Sequence, residues 1–339
     1  METRTEISSL GEFGLIQRIN KATKTTLPDT ITGIGDDAAV IDTGEEYGLL
    51  TSDMLLEGVH FDLTFFPLKH LGYKAIAVNV SDIAAMNGIP KQVTVNVALS
   101  NRFSVEAVDE LYEGIRIACK DFNVDLVGGD TSSSRSGLMI SVSVFGKVKK
   151  EKVTYRSTAK PNDLLCVTGD LGGAYLGLQL LEREKQVFLA NPQMQPELEG
   201  KDYVVQRQLR PEARMDVIYE LAEAGVIPTS MIDVSDGLAS DLLHICAQSG
   251  VGAVVFEERL PIDEQTFLAA SELNIGPVTA ALNGGEDYEL LFTVSQASYE
   301  LIKNNPKITF IGYMTDKRDE IVLHTKADSR VPITAQGWS

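Results

Sequence analysis

Gly33-Ile-Gly-Asp-Asp-Ala-Ala-Val40 sets two adjacent carboxylates, Asp36 and Asp37, on a glycine-flanked turn in front of an apolar run. Residues 38–41 and 48–51 alternate as strands around a turn at 42–46, so the acids sit at the mouth of a strand-turn-strand unit. Working outward, acids beside glycine or a hydroxyl recur along the chain. They stand at Ser52-Asp53, Asn79-Val-Ser-Asp82, Gly128-Gly-Asp-Thr131, Asp233-Val-Ser-Asp-Gly237 and Gly284-Gly-Glu-Asp-Tyr288.

Around these signals, strand and helix periodicities alternate. Residues 9–22 carry Leu10, Phe13, Ile16 and Ile19 at helical spacing. Residues 68–86 read as a helix with Leu71, Ala75, Val78, Asp82 and Ala85 on one face, and a carboxylate on an apolar face is costly unless it is paired or metal-bound. A strand at 93–98, a helix at 104–122 and a short strand at 124–127 deliver Gly128-Gly-Asp130, with Asp53 likewise at a strand end; a further strand spans 138–148. The lysine-rich stretch near 150 predicts a domain boundary, giving domains 1–150 and 151–339. The second half reads as strands at 164–167, 230–234, 252–256, 290–294 and 308–311 with helices at 174–183, 212–224, from 237 onward and at 296–303; 186–203 reads as a surface excursion. The fold class is α/β or α+β in two domains.

A net charge of −18, from 48 acidic and 30 basic residues, argues against nucleic-acid and anionic-membrane partners, both of which need basic surface. Three scattered cysteines form no zinc or disulfide pattern, which fits a reducing cytoplasm. The first residues lack the apolar core of a signal peptide, and no run is long and apolar enough for a membrane span.

The chain has no GxxxxGK[ST] phosphate loop and no kinase-type HRD or DFG. Gly33-Ile-Gly-Asp-Asp-Ala38 matches GxGxxA, but two aspartates would face a pyrophosphate with negative charge, and a strand rather than a helix follows. Taken singly, the acid signals have plain explanations: a solvated turn at Asp36-Asp37, a helix cap at Asp236, a strand-to-helix turn at Gly128-Gly129, and a surface charge at Arg156. Together they read as one site. Aspartates and phosphate oxygens repel unless a cation stands between them, and Mg²⁺ prefers one or two carboxylates plus phosphate oxygens. A cluster of Asp37, Asp53, Asp82, Asp130 and Asp236 therefore predicts several Mg²⁺ ions on the phosphates of ATP.

As an ordered set, Gly33–Ala38, Ser52-Asp53 with Glu57-Gly-Val-His-Phe61, Ala77–Met86, Gly128–Thr131, Asp233–Leu238 and Asn283–Leu290 resemble the thiamine-monophosphate kinases, from about residue 9 to the C-terminus. The resemblance implies a fold like that of the aminoimidazole-ribonucleotide synthetases, with an N-terminal domain that forms a homodimer through its sheet. It implies transfer of the γ-phosphoryl group of ATP to thiamine monophosphate, the last step to thiamine diphosphate. By the same resemblance, Asp37, Thr51, Ser52, Asp53, Asp82, Asp130, Asp233 and Asp236 are metal ligands. Tyr112, Gly129, Asp130, Arg156 and Ser235 touch ATP, and His60, Glu286 and Trp338 touch the thiamine side. No side chain is expected to act as a base, because the acceptor phosphate is already a nucleophile at neutral pH. The alternatives are another ATP-dependent member of the same superfamily, or a non-catalytic acidic binding protein.

Overall fold

The computed structural model describes residues 10–335; Trp338 lies outside them. The first half runs α1 (Gly11–Ala22), β1 (Thr30–Thr32), β2 (Ala39–Asp42), β3 (Glu46–Leu56), α2 (Leu68–Ala85), β4 (Ile89–Leu99), α3 (Val105–Asp121), β5 (Asp125–Ser133) and β6 (Met139–Lys149). Its strands form one sheet in the order β1-β2-β3-β6-β4-β5, antiparallel except for the β4–β5 pair. Alternation sets the two faces: Leu49, Leu55, Val93, Val95, Ile140, Val142 and Val144 are buried, while Leu50, Ser52, Met54 and Asn96 point to the open side.

The second half runs β7 (Leu164–Thr168), α4 (Gly173–Ala190), α5 (Asp202–Leu209), α6 (Met215–Glu223), β8 (Ser230–Asp233), α7 (Leu238–Ser249) and β9 (Gly252–Phe256). It continues through α8 (Glu264–Leu273), α9 (Pro277–Asn283), β10 (Leu290–Val294), α10 (Gln296–Ile302), β11 (Ile308–Thr315), β12 (Ile321–His324) and β13 (Arg330–Pro332). The seven-stranded sheet has the order β13-β12-β9-β11-β7-β10-β8, with only β9–β12 parallel. Both sheets are thus mixed and mostly antiparallel. Among the described residues, no helix is long and apolar enough to cross a membrane.

Helix α2 joins the halves. It packs on β3, β4 and β6, runs alongside α3, and touches β8, α5 and α6. It is therefore buried nearly all round rather than on the single face its spacing predicts. Its fit against α3 depends on two glycines. A Cβ at Gly114 would stand 1.8 Å from the Lys69 carbonyl oxygen, and one at Gly72 would stand 2.0 Å from that of Leu111.

Several expectations need correction. β5 does not stop at 127: it carries Gly128-Gly-Asp130 in mid-strand, because β4 offers an unpaired edge along its whole length. Gly129 lets the two backbones close, since a Cβ there would meet the Val95 carbonyl oxygen at 1.8 Å. Asp53 likewise lies within β3, not at its end. α4 extends through 186–190, leaving 191–201 as the irregular excursion. The short α5, α8 and α9 and the strands β12 and β13 carry too little periodicity to show in sequence.

Gly114→Ala is expected to cost about 1–3 kcal/mol or more through overpacking of α2 on α3. Urea unfolding of the variant beside the native chain measures it.

Candidate active site

Four segments bring their acids to one place. Asp37 follows the glycine loop and precedes β2; its carboxylate is clasped by Arg156, whose Nε donates to Oδ2 at 2.9 Å while Nη2 donates to Oδ1. Arg156 also donates its backbone N–H to Asp36. β3 turns Thr51 and Asp53 toward the helix-covered face, where Thr51 Oγ1 donates to Asp82 Oδ2 at 2.5 Å. On α2, Asn79 accepts from the Asp53 backbone N–H at 3.0 Å, and Ser81 Oγ donates to Asp233 Oδ2 at 2.7 Å, at the end of β8. One carboxylate oxygen each from Asp37, Asp82 and Asp233 lies within 4.8 Å of the others.

So many acids in one buried place disfavour ionisation. Burial, then the Asp37 charge, raises Asp53 to about 6. Burial and the charge of Asp37 raise Asp36 to about 7 despite Arg156. Asp82 is pushed well above the usual carboxylate range by burial and by Asp53, Asp233 and Asp37; Asp233 is raised likewise by burial and by Asp37. Arg156 supplies one positive charge against this cluster. The donor set is carboxylate oxygen without His or Cys, which fits a hard divalent cation such as Mg²⁺. Such a cation would offset the repulsion that the fold otherwise tolerates.

The acids open into a cavity of about 480 Å³. Asp53, Asp82, Asp233, Ser235 and Asp236 line it, and so do His60, Phe65, Phe66, Leu178, Gln208 and Glu286. His60 Nδ1 accepts from the Leu56 backbone N–H at 3.0 Å. Glu286 sits in the left-handed region at φ 59°, its N–H bonded to the Ser235 carbonyl, so the two acid loops are tied together. Its neighbours turn inward for structure instead. Asp287 accepts from the Gly172 backbone at 2.7 Å, and Glu289 accepts from Thr168 and pairs with Arg207 and Arg214.

The remaining expected residues stand elsewhere. The Ser52 hydroxyl faces the open side, donating to the Val142 carbonyl and accepting from Ser143 Oγ. Gly129 and Asp130 lie on exposed β5, three strands from Asp53 and so about 14 Å away at the usual strand spacing. The in-register line Met54–Ser141–Asn96–Asp130 puts Asp130 on that open face as well. Tyr112 sits on α3, packed against the core, and does not line the cavity. Sequence reasoning missed Lys74, Ser81, Gln208 and the fully buried Asp241, whose carboxylate accepts from the Asp236 backbone N–H. A lone lysine inside the apolar run of α2 was the available signal for the first.

Residues 35–148 match the N-terminal domain of the AIR synthase related proteins and residues 160–324 match their C-terminal domain. The thiamine-monophosphate kinase of Bacillus subtilis is 37% identical over 342 residues, covering 95% of this chain and 97% of the relative. The chain belongs to the thiamine-monophosphate kinase family. Among solved structures, AaThiL complexed with AMPPCP and TMP aligns with a TM-score of 0.83 at 31% identity, covering 99% of each chain. The thiamine monophosphate kinase of Aquifex aeolicus aligns at 0.77 and 30% identity, covering 97% of this chain and all of that one.

The raised carboxylates make cation binding and stability depend on pH together. The folded value of Asp53, about 6, lies above its ordinary 3.8, so its destabilising effect is absent below the lower value and complete above the higher. Asp53→Asn is expected to raise the Tm of the cation-free chain by roughly a few degrees near neutral pH, with the gain fading toward about pH 4. Adding Mg²⁺ should reverse the order, because only the native chain keeps the full ligand set. Thermal scans at two pH values, with and without Mg²⁺, check this.

Proposed function

We infer that this chain transfers the γ-phosphoryl group of ATP to thiamine monophosphate, giving thiamine diphosphate and ADP. One observation carries the reading: a single cavity joins a carboxylate cluster suited to cation-bound phosphates with a wall of aromatic and polar side chains suited to a heterocycle. Asp37, Thr51, Asp53, Asp82, Asp233 and Asp236 would hold the Mg²⁺ ions, which would supply positive charge to the phosphates. Arg156 presents a guanidinium that suits phosphate as well as it suits Asp37. Ser235 lies beside the phosphate end, and His60 and Glu286 face the acceptor. The acceptor phosphate needs no general base, so the protein contributes position and charge.

The reading includes a homodimer. Gly129, Asp130 and Ser52 lie on the open face or edge of the first sheet, away from the other acids, and exposed Leu50, Met54 and Val127 stand near them. A second copy laid on this face would cover those apolar side chains and bring its Asp130 to the first copy's phosphates. The three cysteines are buried and unpaired, which accords with a cytoplasmic setting.

Incubation with ATP, Mg²⁺ and thiamine monophosphate is expected to yield thiamine diphosphate one-for-one with ADP by chromatography; ATP use without that product sinks the choice of acceptor. Asp236→Asn should weaken Mg²⁺ binding by roughly ten- to a hundredfold and regain part of its activity at high Mg²⁺. The shared site has its own test. Asp82→Asn and Asp130→Asn chains should each be inactive alone, and mixed and re-equilibrated they should recover up to about a quarter of native activity through one intact site per mixed dimer. No recovery, from chains shown to exchange, counts against a shared site.

A further inference from the structure

Lys74 is among the largest fully buried side chains of the described residues and the only charged one in the apolar run 71–81 of α2. Its Nζ stands 2.8 Å from Glu286 Oε1, 5.4 Å from the centre of the Phe66 ring, and 3.5 Å from the backbone carbonyl of Gln208. A buried ammonium is costly unless paired, and a helix aliphatic would fill the same space at less cost. The other oxygen of Glu286 accepts from Gln208 Nε2 at 2.7 Å. Because a carboxylate only accepts, this bond fixes the amide with its nitrogen toward Glu286. Gln208 Oε1 is thereby oriented too. It is buried in a residue 2% exposed that lines the cavity, and it has no hydrogen-bond partner among the described residues. An unpartnered buried acceptor beside a binding cavity points to a donor on the ligand.

We propose that Lys74 and Gln208 are the positioning and specificity residues of the acceptor pocket. Lys74 holds the Glu286 carboxylate in one place, Glu286 orients the Gln208 amide, and Gln208 Oε1 accepts a hydrogen bond from an amino group of the acceptor. The assignment rests on the reading of the acceptor as thiamine monophosphate, whose pyrimidine ring carries an exocyclic amino group. A pocket that ends in an oriented buried acceptor discriminates strongly against an analogue with oxygen in place of that amino group, because two acceptors would then face each other. The cation-bound phosphates lie at the other acids, so ATP binding is independent of this relay.

The test is steady-state kinetics of the full-length chain with thiamine monophosphate and with its 4-oxo analogue, alongside KM for ATP and Tm. Gln208→Met keeps the volume and the backbone carbonyl but removes the acceptor. It is expected to raise KM for thiamine monophosphate by roughly tenfold and to cut the preference over the oxo analogue by at least about tenfold. KM for ATP should stay within about twofold and Tm near the native value, which a merely structural role would not produce. Lys74→Met leaves Glu286 without its cation and is prone to unfold, so Lys74→Met/Glu286→Gln is measured beside it; the pair should fold, retain ATP affinity and lose the same preference. Product from the native chain with unchanged preference in Gln208→Met overturns the role of Gln208, and unchanged acceptor KM in the Lys74 variants overturns that of Lys74. No thiamine diphosphate from the native chain overturns the proposed function and this assignment with it.

Discussion

Asp37, Asp53, Asp82 and Asp233 come from segments far apart in the chain and repel one another where water screens them poorly. The surrounding structure is arranged to hold that repulsion. Hydroxyls of Thr51 and Ser81 donate to Asp82 and Asp233, Asn79 braces the β3 backbone at Asp53, and Arg156 is clamped on Asp37. The Thr51, Ser81 and Arg156 bonds reach carboxylate oxygens, and the Asn79 bond fixes the strand that carries Asp53. Against these acids Arg156 sets a single positive charge, so the cluster keeps an excess of negative charge.

Helix α2 supplies the rigidity this arrangement needs. From one side it places Ser81 and Asp82 among the acids, and about two turns earlier it places Lys74 against Glu286. Because both sheets and α3 pack on it, the acid cluster and the Lys74–Glu286 pair are fixed to one element. In-line transfer between two bound phosphates requires this kind of fixed separation, since small displacements weaken positioning steeply.

The loops after β8 and before β10 share a second constraint. Glu286 and Tyr288 donate their backbone N–H groups to Ser235 and Val234, so the two loops move as one. Within Glu286-Asp-Tyr-Glu289 the acids divide their work. Glu286 faces the cavity, while Asp287 and Glu289 are spent on the Gly172 backbone, Thr168, Arg207 and Arg214. Adjacent acids in sequence are thus a poor guide to shared chemistry, because alternate residues of an irregular loop point to different sides.

The sequence by itself determined the local units. The hairpin around residues 42–46, the helices near 68–86 and 104–122, and the acid turns at 33–38 and 233–237 follow from short-range periodicity and glycine placement. The presence of Asp82 in an apolar helix was legible for the same reason: a buried carboxylate needs a partner wherever the helix goes. Only the tertiary structure decided which acids meet. Strand order and register put Thr51 and Asp53 on the helix-covered face but Ser52 and Asp130 on the open one, and a pleat reverses faces with every residue. The Lys74–Glu286–Gln208 relay joins residues 78 and 134 positions apart, a separation at which no local pattern carries information, so it came into view only once α2, α5 and the Glu286 loop were packed together.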